Sequence, residues 1–262
     1  MALSIAQKAL IIVFIALFCG MYFGCETTTK EIQLLEKSRS VEPMYLDIQQ
    51  ELKVAQQTLP KEDRLDLESF LVNIEDSGSD SEKVEAYKGL AGKWYNLSKP
   101  ILSGYYAEKI AEIENTEDAW AIAGTTNYLG LSTAKTDNQK KYARQHALSN
   151  FEKASSLDPS NMDHKINSAL CYVEYPEEDQ PMQGILMLLD LVKANPESIP
   201  VHMQLGRLGV RTNQWDNALK RFRTVLELDP DNKEVHCYLI QVYEAQNDIA
   251  KAKESAELCQ LR

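Results

Sequence analysis

The strongest constraint on this chain is a period. Pro196 and Pro230 lie 34 residues apart, and each closes the same run of small and large apolar residues. Ala218, Phe222 and Val225 precede Pro230 at the spacing by which Gly184, Leu188 and Leu191 precede Pro196. Ala147, Phe151 and Ala154 precede Pro159 in the same register, and Ala252, Ala256 and Cys259 carry it to the end of the chain. Steps of four and three residues mark one face of a helix. The proline stops that helix, because it has no N–H to donate and its ring clashes with the preceding turn. A unit of this length cannot bury its apolar face alone, so neighbouring units must stack. The expected fold class is all-α, with no useful length of strand-like alternation.

The first halves of the units repeat less strictly. Leu205 and Gly206 stand in the unit 199–232, Trp120 and Gly124 in 117–161, Ala169 and Tyr172 in 162–198, and Leu239 and Tyr243 in 233–262. Ala91, Gly92, Tyr95 and Ser103 suggest a degenerate unit at 85–116. The unit 117–161 carries about eleven extra residues around "STAKTDNQKK", expected as a lengthened second helix or turn. The unit 162–198 carries about three near "YPEEDQP". The order Trp, Leu-Gly, Tyr, Ala, Phe, Pro resembles the tetratricopeptide repeat. That resemblance implies an α-solenoid over 81–262 whose first helices line an inner groove for extended peptides or helices. Spacing alone places a helical hairpin at 43–80, from Ile48, Leu52, Ala55 and Leu59, then Leu65, Leu67, Phe70, Leu71 and Ile74, ending at "DSGSDS".

The N-terminus is of another kind. Ala9 to Cys25, "ALIIVFIALFCGMYFGC", is 17 residues without a charge. As a helix it is about 25 Å long, at the lower edge for a bilayer core of about 30 Å. No small-residue pair marks a cleavage site. The expectation is an uncleaved signal anchor over 1–25, a polar linker over 26–42, and an exported body. A lipoprotein attached at Cys25 is the alternative. Lys30, Lys37 and Arg39 after the span would favour the opposite orientation if counted strictly. "FGCETTTKEIQLLEKSRS" and "EEDQPMQGILMLLDLVKANPES" are similar to membrane-anchored tetratricopeptide-repeat proteins of Bacteroidetes-type bacteria, a resemblance that implies location more than mechanism.

Composition excludes little except nucleic acid. The formal charge is −11 and no basic run is present, whereas phosphate binding needs clustered Lys and Arg. The five cysteines show no paired spacing, so Cys171, Cys237 and Cys259 are expected as small buried apolar residues with no disulfide framework.

The acidic clusters "LDPSN" and "LDPDN" fail as calcium loops, because Lys233 stands where a ligand belongs and no glycine follows. Asp229 and Asp231 are expected to cap helix starts instead. "GLAGKW", Gly89 to Trp94, lacks the length and the Ser or Thr of a phosphate loop, and is expected as a close helix contact.

His202 and His236, 34 apart, admit two readings: packing where Trp120 sits in an earlier unit, or metal ligands in the groove. No catalytic constellation, cofactor or small-molecule substrate is expected. By spacing, the groove candidates are Thr125, Tyr128, Ile166, Leu170, Val173, Met203, Arg207, Arg211, Cys237, Gln241 and Glu244. Arg207 and Arg211 share a helix face and are expected either to hold a partner carboxylate or to form internal ion pairs. The function these residues point to is a membrane-tethered interaction scaffold for an unidentified protein or peptide. Self-association and a metal-dependent protein are the alternatives.

Overall fold

A computed structural model describes residues 46–260, so the apolar segment 9–25, the linker and Cys25 lie outside the described residues. Twelve helices follow one another: α1 (Ile48–Gln57), α2 (Lys61–Glu75), α3 (Asp80–Asn96), α4 (Pro100–Glu114), α5 (Glu117–Thr133), α6 (Asp137–Leu157), α7 (Asp163–Glu174), α8 (Gln183–Ala194), α9 (Ile199–Arg211), α10 (Trp215–Leu228), α11 (Lys233–Ala245) and α12 (Ile249–Gln260). Among the described residues there is no strand. From α3 onward the helices pack in consecutive pairs, and the first helices also touch along the stack, α5 against α7 and α9 against α11.

The repeat junctions share one backbone solution. Asp158, Asn195 and Asp229 each precede a proline and leave the helix at φ −130, −134 and −139 with ψ 89, 80 and 86. Proline forbids the helical conformation to the residue before it, which accounts for the extended ψ. Each of these residues donates its N–H back to the helix, to the carbonyls of Ala154, Leu191 and Val225. The cap of α11 is Asn232, whose side chain accepts from the Val235 N–H, while Asp229 accepts from the Asn232 amide. The aspartate expected as a cap therefore holds the asparagine that does the capping. Within units the turns also repeat: Asn213 and Asn247 follow α9 and α11 in the left-handed region, at φ 57 and 61.

The core is a chain of small clusters. Each of two units places an aromatic ring against a missing side chain: Phe151 lies over Gly124, and Phe222 over Gly206. The extra residues of 117–161 extend α6 to 21 residues, opened by a capping box between Thr136 and Gln139. At the N-terminal end, Leu52 and Ala55 of α1 and Leu67 of α2 share a cluster with Leu90, Trp94, Leu102 and Tyr106 of α3 and α4. In "GLAGKW" the close contact is made by Gly89, against Phe70 of α2, whereas a Cβ at Gly92 would meet nothing within 4 Å. Trp94 is fully buried and Tyr95 exposed, so the buried face of α3 is rotated from the one expected.

One expectation is overturned outright. Cys237 and Cys259 form a disulfide between α11 and α12, with Cα atoms 5.0 Å apart. Only Cys171 is, as expected, a buried free thiol among the described residues, and burial pushes it up to about 12. The sequence carried no paired spacing because the two cysteines meet across a hairpin and not along a motif.

Candidate functional site

The face presented by the first helices is built from positions that recur with the repeat. On α5, Thr125 is exposed and turns its hydroxyl back to the Ala121 carbonyl, and Tyr128 is half-buried. Burial, and then the nearby Glu174 carboxylate, pushes the Tyr128 phenol up. On α7, Leu170 and Val173 are half-buried, whereas Ile166 is 3% exposed and belongs to the core. On α9, Met203 is likewise core at 6% exposure. Arg207 and Arg211 remain accessible, with side chains 37% and 54% exposed. On α11, Gln241 and Glu244 are exposed, and Cys237 is exposed but bonded to Cys259.

Both arginines are engaged within the chain. Arg211 Nη1 lies 3.1 Å from Glu174 Oε2, linking α9 back to α7. Arg207 pairs with Glu234, linking α9 forward to α11, and its guanidinium stands 5.3 Å from the Tyr238 ring centroid. Exposed pairs of this kind contribute roughly 0–1 kcal/mol each, so a partner carboxylate could exchange for either glutamate at small cost. Glu174, Glu234 and Tyr238 were not singled out from the sequence. A signal existed: Glu174 and Arg211 occupy aligned places in adjacent units, so opposite charges there meet across the stack.

A second polar group is buried. Glu108 of α4 accepts from Asn127 of α5 at 3.0 Å and from Asn150 of α6 at 2.6 Å. His146 Nδ1 lies 2.8 Å from both carboxylate oxygens and its ring stacks on Tyr142. Asn127 and Asn150 are 0% and 1% exposed, so this network ties three helices together inside the stack. Two further histidines are also engaged: His164 Nε2 with Glu117, and His202 Nε2 with the Pro196 carbonyl at 2.8 Å. Among the described residues no group of three or more His, Cys, Asp or Glu is placed to hold a metal ion. His202 is 5% exposed and sits in the packing position that the sequence equated with Trp120.

Among the described residues no helix is long and apolar enough to cross a membrane. The tetratricopeptide-repeat family model matches residues 210–257, the last turn of α9 through most of α12. The chain is similar to YrrB, a tetratricopeptide-repeat protein described as having an unusual peptide-binding site, at 21% identity over 74% of this chain and 91% of that one, with a TM-score of 0.38. It is similar to MamA from Desulfovibrio magneticus RS-1 at 17% identity, over 70% of this chain and 93% of that one, with a TM-score of 0.40. A thermophilic tetratricopeptide-repeat protein of Thermus thermophilus matches at 17% identity over 76% and 98% of the two chains, with a TM-score of 0.47. The described residues form an all-α solenoid of consecutive helix pairs, of which 210–257 match the tetratricopeptide-repeat model.

Proposed function

We propose that this chain is an interaction scaffold that takes an extended peptide or helix along its first-helix face, tethered to a membrane by residues 9–25 with the body exported. The observation that carries the reading is the row across α5, α7, α9 and α11. Half-buried Tyr128, Leu170 and Val173 offer apolar contact beside two accessible arginines whose carboxylate partners are exchangeable. Apolar contact with a few placed charges is how a surface gains both affinity and register. The exported orientation draws support from the Cys237–Cys259 disulfide, since such bonds persist in oxidising compartments and are rare in the cytosol.

Peptide-display selection on the full-length chain, followed by titration calorimetry, tests the binding face. Thr125→Trp combined with Arg211→Glu is expected to weaken selected peptides at least about tenfold, as loss of one contact worth roughly 1.4 kcal/mol does, with an unchanged melting temperature. Selected peptides that bind the double variant as tightly as the parent would refute the assignment of the face. Membrane fractionation with and without residues 1–25 tests the tether, and an acylated fragment beginning at Cys25 would replace the anchor with a lipid.

Self-association is favoured by a separate observation on the opposite layer. Met182, Leu186 and Leu189 precede or lie on α8 at steps of four and three, and are 52%, 56% and 37% exposed. A Leu186→Lys substitution would abolish an oligomer seen by light scattering if this stripe is the contact.

A further inference from the structure

The Cys237–Cys259 bond occupies a repeated place in the fold. In the unit of α9 and α10 the aligned residues are Met203 and Val225, both buried in one cluster. In the unit of α7 and α8 they are Ile166 and Leu191, and in that of α5 and α6 they are Ala121 and Ala154, again packed together within one cluster each. In three units these two positions thus fall within one apolar cluster shared by the first and second helices, and in the unit of α11 and α12 a covalent bond stands there instead. The size pattern beside it changes too: Gly206 and Phe222 become Ile240 and Ala256 at the aligned positions.

The physical reason lies in the stack. An apolar pair is worth its burial only while its surroundings keep water away. In the α11–α12 unit Cys237 is exposed, whereas the aligned Met203 is buried. An apolar pair there would stay partly wet, whereas a disulfide does not depend on exclusion of water. It acts by restricting the unfolded hairpin, here across a sequence separation of 22 residues.

We infer that Cys237–Cys259 is a covalent clasp of the α11–α12 unit, and that it makes the order of that unit depend on the thiol–disulfide balance around it. The inference does not rest on peptide binding. Reduction by a small dithiol would open it in two steps. A thiolate attacks Sγ of Cys237, the more exposed of the two residues, and Cys259 leaves as a thiolate and takes up a proton. The reductant's second thiol, deprotonated, then displaces Cys237 from the mixed disulfide and closes the reductant's own disulfide. Two electrons and two protons pass from dithiol to protein.

The test is hydrogen exchange of the full-length chain, purified in detergent without reductant, before and after dithiothreitol. Residues 233–260 are expected to exchange at least about tenfold faster once reduced, with α5 to α7 changing by less than about twofold, because opening is local to a foldon. The Cys237→Val, Cys259→Val double variant is expected to ignore dithiothreitol and to exchange at a rate between the two wild-type states. Equal protection of 233–260 in both redox states would overturn the inference. So would a double variant that still responds to dithiothreitol, or alkylation of both cysteines in the unreduced native chain.

Discussion

Two glycines show how much a single position means in a repeat. A Cβ at Gly206 would run into the Phe222 ring, so Gly206→Ala overpacks the centre of a unit and is expected to cost about 1–3 kcal/mol in urea unfolding. Gly92 sits mid-helix in α3 facing open space, and Gly92→Ala is expected to stabilise by about 0.5–1 kcal/mol by removing backbone freedom from the unfolded chain. Both glycines drew attention in the sequence for the same reason. Only the rotation of α3 distinguishes them, because a one-residue change of register moves a side chain by about 100° around a helix. Glu108 is a second case. Its removal leaves the buried Asn150 amide without its acceptor and Asn127 with only the Ala123 carbonyl, so Glu108→Ala is expected to cost about 3 kcal/mol, and Glu108→Gln less, by thermal or urea unfolding. Nothing in the spacing of Glu108, Asn127, His146 and Asn150 announces this network, because the three helices that carry it meet only in the packed stack.

At the scale of elements, punctuation was the most legible layer. The Asp-Pro and Asn-Pro junctions, and the Phe-over-Gly contacts, follow from local chemistry that repeats with the sequence. The turns inside units were less visible, since Asn213 and Asn247 are ordinary residues until their positive φ is seen. A left-handed residue with a Cβ costs roughly 1–2 kcal/mol, less for asparagine. Asn213→Gly is therefore expected to leave stability unchanged or raised and Asn213→Ala to lower it by about 1 kcal/mol, compared by urea midpoints. Equal effects of the two would mean that the turn relaxes. The groove shows the limit of periodicity in another way. Repeat spacing put Ile166 and Met203 beside Arg207, yet burial separates them, because first helices lean on their own second helices at that position.

For the whole molecule, buried groups that resist ionisation set a response to alkali. Burial raises Cys171 from 9.0 to about 12 and Tyr106 from 10.0 to about 12, and pushes Tyr142 and Tyr128 up as well. The folded state thus holds these protons more tightly than the unfolded chain. Their contribution is complete below about pH 9 and is lost as pH rises towards 12, where the unfolded chain ionises first. Urea midpoints at about pH 8, 9.5 and 11 are expected to fall in that order, and Cys171→Ala to flatten the first step. The same burial predicts that iodoacetamide leaves Cys171 unlabelled at neutral pH until the chain is unfolded.

The sequence by itself determined the all-α class and the small-large-proline register of the second helices, because those depend on contacts within about 34 residues that every copy must repeat. Tertiary structure alone decided what differs between copies. It turned one glycine of α3 inward and one outward, paired Arg211 with Glu174 and Arg207 with Glu234, gathered the Glu108 network, and joined Cys237 to Cys259. Each of these is a meeting of side chains from different helices, fixed by the rotation and stacking of whole elements. A period records the unit that repeats; it carries no record of which non-repeating side chains the stack brings face to face.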